Sequence, residues 1–427
     1  MSLAFSPSMA AGSLDRLLPA AIPFRFFASA ITFNIAAWLV LALSRDPVAG
    51  HLGGKGAVVA ALHLMTLGVL AMAAMGAGYQ LLPMATARPV RSVRGSATSF
   101  WLASPGVALF TGGLAVGVDA ATHAGAALVA AGLTLFAMLT ADNLRGAAAM
   151  PLVRRHVQVA LVSLIATIVL GLILLVDWER GFLPDHLAAA GAHAAVAAYG
   201  FMGMLVLGFS TILVPMLALA QAPDRRLGQW VLALAAAGLV LTLLGGLAGV
   251  PLAMAGGAVL GLAAALLHIT AMTRVIKRRM KKQLGPSFLL IRAGWCLLVA
   301  SLMLAAALSL DLVPSPWATL LGVLLVPGWL LTSLFGFLQR IMPILAQAHL
   351  TVPGARPPLV SALTPEMPLK IHGMAHLAAV AVLTVAVVVG SEWLVRVAAV
   401  LGLVAALSFA VFAAILYRRA LVCRRGG

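Results

Sequence analysis

The sequence predicts an all-α, polytopic membrane protein with twelve transmembrane helices in a pseudo-threefold repeat of four. Three observations predict it. Hydrophobic residues are 63% of the 427 and charged residues only 9%, against roughly a quarter charged in soluble domains; mean hydropathy is +1.09. Apolar runs of about 20 residues, the length of a bilayer crossing, recur along the whole chain. A glycine–proline pattern returns in every fourth run. Such a chain lacks the polar surface to enclose a water-soluble core. Open sheet edges cannot be satisfied in lipid, so helices carry the crossings. The disordered, fibrous and disulfide-rich classes are excluded as well.

Charges, prolines and turn residues divide the chain into spans at roughly 22–44, 56–82, 99–118, 121–142, 156–177, 187–215, 228–249, 251–272, 288–310, 316–339, 371–390 and 393–417. Charge placement tests this division. With the N-terminus cytoplasmic, all lysines and arginines except Arg45, Lys55, Arg180 and Arg396 fall on the inner side. The outer loops hold Asp46, Asp119, Asp177, Glu179, Asp185, Asp311 and Glu392. Lysine and arginine concentrate on the cytoplasmic side of membrane proteins, and a missed helix would have scrambled the pattern. Both termini are therefore expected in the cytoplasm, and no signal peptide is indicated.

The net charge of +17 orients the protein and suits anionic lipids, above all at the run from Arg274 to Lys282. Nucleic acid is not an expected partner, because the aromatic residues that interleave such sites are absent from that run. The inner stretch 340–370, with Pro353, Pro357, Pro358, Pro365 and Pro368, reads as an extended connector. Cys296 and Cys423 are too far apart in sequence to form a metal or redox motif.

The repeat is the most informative feature. Span 2 carries Gly68, Gly76 and Pro83; span 6 carries Gly200, Gly208 and Pro215; span 10 carries Gly328, Gly336 and Pro343. The spacing is the same in all three. A single integral membrane domain, 1–427, is expected, with repeat units at roughly 1–98, 99–227 and 228–350, and 351–427 completing the first quartet. Glycines eight apart lie roughly on one helix face. There they admit a close helix or a flat ligand, and the proline reads as the helix end. An even repeat keeps each copy in one orientation, unlike the inverted repeats of many transporters.

Ionisable residues inside spans are costly and are functional candidates. His63, in span 2 below the outer surface, has no charged neighbour in sequence. Imidazole is a common metal or haem ligand; the other reading is a bond to a helix carbonyl. His193 in span 6 is offset by two residues from the matching position, which turns it by about 200° toward another face. Span 10 has Val323 there. His123, four residues after Asp119, either orients a ligand or belongs to a solvated interfacial pair. His372 and His376 share a helix face and suit metal ligation, or form an interfacial pair near Lys370. His156, His268 and His349 are expected at inner membrane boundaries, and His51 and His186 in outer loops. Asp142 and Asn143 read as an ion site or as helix-end hydrogen-bond partners.

Twelve spans in fours with a histidine high in span 2 resemble the haem-copper oxidase subunit I superfamily, including nitric oxide reductase large subunits and NnrS-like proteins. His63 to Gly68, continuing through Gly76, Tyr79, Gln80 and Pro83, is similar to the span-2 segment of NnrS-like proteins. Ile22-Pro23-Phe24-Arg25-Phe26-Phe27 is similar to their opening motif, with one internal proline missing. The resemblance covers the topology of the whole chain but detailed motif only in spans 1 and 2. It implies a bacterial-type inner-membrane protein with haem b on His63, and with His193 or His123 as second ligand. Gly68 and Gly76 would lie beside the cofactor. The implied role is respiratory electron transfer with a redox partner protein, or nitric oxide handling. Members of the superfamily carry a histidine pair in span 10 and copper ligands in spans 6 and 7. Here span 10 and span 7 have no histidine and span 6 has His193 alone, which leaves little place for copper or for oxygen reduction. The alternative is a cofactor-free transporter or assembly factor on the same bundle.

Overall fold

The protein is described here by a computed structural model covering residues 18–425, apart from 45, 52, 146, 148–149 and 352–356. Twelve helices are long and apolar enough to cross a membrane: α1 (Ala21–Leu43), α2 (Ala57–Thr86), α3 (Val93–Val116), α4 (Asp119–Leu144), α5 (Pro151–Arg180), α6 (His186–Ala218), α7 (Arg225–Leu247), α8 (Pro251–Lys277), α9 (Pro286–Ser309), α10 (Ser315–Leu350), α11 (Glu366–Val389) and α12 (Glu392–Arg424). No strand occurs among the described residues. Several helices overrun their apolar stretch because backbone bonding and caps, not hydropathy, set their ends. Ser92, Asp185 and Asp224 accept the exposed N–H groups of Gly95, Ala188 and Arg226 at 2.9, 2.9 and 2.8 Å, as N-cap side chains do.

The repeat-bearing helices form the inside of the bundle. In their most apolar stretches, 83% of α10, 72% of α6 and 61% of α2 is buried, and no other helix exceeds 50%. Each of the three also widens into a π-helical stretch: Leu64–Ala71, Val196–Gly203 and Leu324–Leu331. The first repeat glycine, Gly68, Gly200 or Gly328, is the fifth residue of its stretch. The α10 stretch packs against both of the others near the centre of the molecule.

The glycines seat the preceding helix. A Cβ at Gly68 would stand 2.6 Å from the Phe33 Cβ of α1, and one at Gly76 would stand 2.8 Å from Phe26 Cβ. On α6, Gly200 and Gly208 face Ser163 and His156 of α5 at 2.6 and 2.7 Å. On α10, Gly336 faces Ile291 of α9 at 2.9 Å, and Gly328 lies 3.7 Å from Leu297. Pairs α1/α2, α5/α6 and α9/α10 are thus equivalent. Hairpins α3/α4, α7/α8 and α11/α12 pack outside them, and the ring closes through α4/α5, α8/α9 and α12/α1. At the last of these junctions Gly402 meets the face of Trp38.

Two expectations are corrected. Pro83, Pro215 and Pro343 lie inside their helices rather than at the ends, which fall at Thr86, Ala218 and Leu350. An interior proline loses one backbone bond and costs about 3 kcal/mol. Beyond Pro343 the helix buries Leu345 and Ala346, which favours its continuation. Likewise the 340–370 stretch is not one extended connector. α10 occupies it to Leu350, a helical turn spans Val360–Leu363, and α11 starts at Glu366; Pro353 falls outside the described residues.

Candidate functional site

His63 ends the last α-helical turn before the π stretch of α2. Its Nδ1 lies 2.9 Å from the carbonyl of Val59. A carbonyl only accepts, so Nδ1 carries the proton and Nε2 keeps a bare lone pair. Metal-binding histidines are prepared in this way, with the other ring nitrogen donating to a carbonyl or carboxylate. The carbonyl bond and ligation, which the sequence presented as alternatives, are therefore compatible at His63. Phe110 of α3 meets the ring edge-on at 5.2 Å between centroids.

His193 occupies the matching end of α6. Its ring rests on Gly171 of α5, where a Cβ would stand 3.1 Å from Cε1, and its Nδ1 is buried without a hydrogen-bond partner. The ring is thus turned onto α5.

His123 belongs elsewhere. Its Nδ1 donates to the Asp119 carbonyl at 2.8 Å, and Nε2 faces Glu179 at 3.3 Å. Lys55 Nζ bridges Asp119 and Glu179 at 2.6 and 3.9 Å. This is a solvated charge network, and it occupies both ring nitrogens of a residue expected as a second ligand. Gly68 and Gly76 are also corrected as cofactor contacts: Phe33 and Phe26 fill those faces.

The opposite end of the bundle holds histidines that the sequence placed at the interface. His372 and His376 are 0% and 1% exposed, with parallel rings 5.8 Å apart between Phe335 and Phe409. Lys370 instead pairs with Glu366 at 3.5 Å. The Thr332 hydroxyl donates to Pro327 O at 3.2 Å and accepts from His376 Nε2 at 2.8 Å. Gln339 Nε2 donates to His372 Nδ1 at 3.2 Å, leaving His372 Nε2 and Gln339 Oε1 unpartnered. His156 and His268 are buried too. His268 Nε2 donates to Ser210 Oγ at 3.0 Å, and His156 Nδ1 donates to Leu152 O at 2.9 Å. Sequence reasoning placed these two at inner membrane boundaries and did not single out the fully buried amides of Gln80 and Gln339. The available signal was polarity inside apolar spans, on α5 and α8 for the histidines and on the repeat-bearing α2 and α10 for the glutamines.

Asn143 and Asp142 divide their work. Buried Asn143 accepts from Thr86 Oγ1 at 2.9 Å and donates to Arg88 O at 2.8 Å, tying down the end of α2. Asp142 faces the exposed Arg91 at 3.5 Å. Among the described residues no three histidine, cysteine or acidic side chains cluster as a metal would require.

No family model matches the sequence, and no curated protein does. The fold does have a solved counterpart. The chain is similar to a haem-copper terminal oxidase determined by cryo-electron microscopy as a dimer, with a TM-score of 0.56 and 12% sequence identity over 97% of this chain and 84% of that one. At that identity the likeness establishes a shared multi-pass, oxidase-like fold.

Proposed function

We propose that this chain is a membrane haem protein on an oxidase-like bundle, in which His63, through Nε2, and His193 would hold haem b. The observation that carries the proposal is the fixed tautomer of His63, whose Nδ1 proton is spent on the Val59 carbonyl so that Nε2 is free to hold a metal. Those donors fit iron, which takes histidine axial ligands in haem proteins. Bound haem would supply a one-electron couple. This chain's own contribution is to hold the His63 ring through Val59, to orient it against Phe110, and to surround both rings with apolar helices. The role is respiratory electron transfer with a redox partner protein, or nitric oxide handling, and the NnrS-like opening and span-2 motifs belong to the same reading. The distribution of lysine and arginine supports a bacterial-type inner membrane with both termini cytoplasmic. A reporter fused at the C-terminus tests that orientation. The transporter alternative loses support from the glycine pairs, whose faces are filled by side chains of α1, α5 and α9.

The test is the absorption spectrum of protein purified after expression with ample haem. A Soret band that is lost in His63→Ala, altered in His193→Ala and unchanged in His123→Ala supports the assignment. A pigment-free protein, or a band indifferent to His63→Ala, overturns it.

A further inference from the structure

Arg25, within the opening motif, holds nothing of the haem in that reading, and the structure gives it a role of its own. Phe26 and Phe27 of that motif are buried, and Phe26 seats against Gly76 of α2. Arg25 points the other way, into a cleft between α1 and α3 of about 440 Å³. Ala28, Ser29 and Thr32 line one wall, and Phe100, Trp101 and Ser104 line the other.

The Arg25 guanidinium lies over the Phe100 ring at 5.5 Å and near the Trp101 ring at 6.0 Å. Its Nε donates to Ala21 O at 2.8 Å. Among the described residues no carboxylate lies within ion-pairing distance of it. Both terminal nitrogens therefore keep their donors, in the planar fork that matches a phosphate. Trp101 is 65% exposed, so the cleft opens on the lipid-facing side. Ser29 and Ser104 bond each other across the cleft at 2.8 Å, one hydroxyl donating and the other accepting, and Ala28, Phe33, Phe100 and Trp101 make the rest of the walls largely apolar. The charged end sits near the start of α1, on the face of the protein that also carries Arg88, Arg91 and Arg94.

We propose that this cleft is a phospholipid site: Arg25 holds the headgroup phosphate of an anionic lipid, and an acyl chain runs along Ala28, Thr32 and Trp101. Uncompensated positive charge at one end and an apolar trough leading toward the membrane centre match the two ends of such a lipid. Basic pockets between transmembrane helices bind lipid headgroups in this manner. The site does not depend on haem.

The test is native mass spectrometry of the full-length protein in mild detergent, titrated with dioleoyl phosphatidylglycerol. Wild type is expected to hold one lipid persistently. Arg25→Gln should lower its occupancy about tenfold, and Arg25→Lys should recover only part, because an ammonium cannot grip a phosphate in two places. Ser104→Leu fills the trough and should weaken binding with the charge intact. Arg226→Gln, on an exposed arginine of the same face, should change nothing. Excess inorganic phosphate should not displace the lipid. Unchanged binding in both Arg25→Gln and Ser104→Leu, equal loss in Arg226→Gln, or displacement by phosphate would each overturn the proposal. So would equally strong binding of dioleoyl glycerol, which has no phosphate.

Discussion

Gly76→Ala separates the two uses the glycine pairs suggested, seating a helix or admitting a flat ligand. A methyl at position 76 would stand 2.8 Å from Phe26 Cβ and 3.1 Å from the carbonyl oxygen of Pro23. Both atoms are fixed to the α1 backbone, so no rotamer change clears them and the helix must shift. Overpacking of this kind costs about 1–3 kcal/mol. The same substitution gains about 1 kcal/mol from helix propensity. Gly112→Ala, on the lipid-facing side of α3, isolates that gain, because a Cβ there meets nothing within 4 Å. The propensity terms cancel between the two variants, and their difference is the packing cost alone. At roughly 2 °C per kcal/mol for a large chain, Gly76→Ala should melt about 2–6 °C below Gly112→Ala in the same detergent. Thermal unfolding followed by tryptophan fluorescence reads this directly. If the two variants melt together, α1 does not rest on Gly76 and the packing argument fails for all three repeats.

Three further outcomes follow from individual contacts. Thr332→Val should cost about 1–3 kcal/mol by stranding the buried His376 Nε2–H, whereas Thr332→Ser should restore most of it; equal melting of the two variants would remove the bond from the account. Asn143→Leu should cost about 1–3 kcal/mol and expose the 87–92 loop to protease, because the Arg88 carbonyl loses its donor while the Thr86 hydroxyl keeps only the Leu82 carbonyl, while Asp142→Asn on the exposed pair should cost under about 1 kcal/mol. In the loop before α2, burial holds the His51 imidazole below its ordinary range, against the opposing pull of Asp46. The neutral form is thus favoured in the folded state, and its contribution is present above about pH 6.5 and lost as pH falls below it. Hydrogen exchange around His51 should accelerate on acidification, and His51→Gln should flatten that response; an unchanged pH profile in the variant would exclude His51 as its source.

The spans were legible because lipid demands long apolar stretches whatever the neighbours are. A close neighbour on α2, α6 and α10 was legible in their glycines, but their place at the inside of the bundle was not. What escaped were features set by partners distant in sequence. His372 and His376 look interfacial beside Lys370, and only Phe335 and Phe409, from two other helices, bury them. The π stretches have no residue signature of their own beyond the glycine at a fixed place. The prolines misled because a helix with enough buried surface beyond its kink continues through it.

Each glycine-bearing helix immediately follows, in the chain, the helix it receives. Only the short segments 44–56, 181–185 and 310–314 join α1 to α2, α5 to α6 and α9 to α10. A nascent polypeptide entering the bilayer can therefore complete each seated pair before the next one is synthesised. One junction must wait for α12. There Gly402 closes on Trp38, and Glu392 accepts the amides of Val48 and Ala49 at 3.0 and 2.9 Å. The α1–α2 pair, seated early, is thus latched only when a helix that begins at Glu392 arrives.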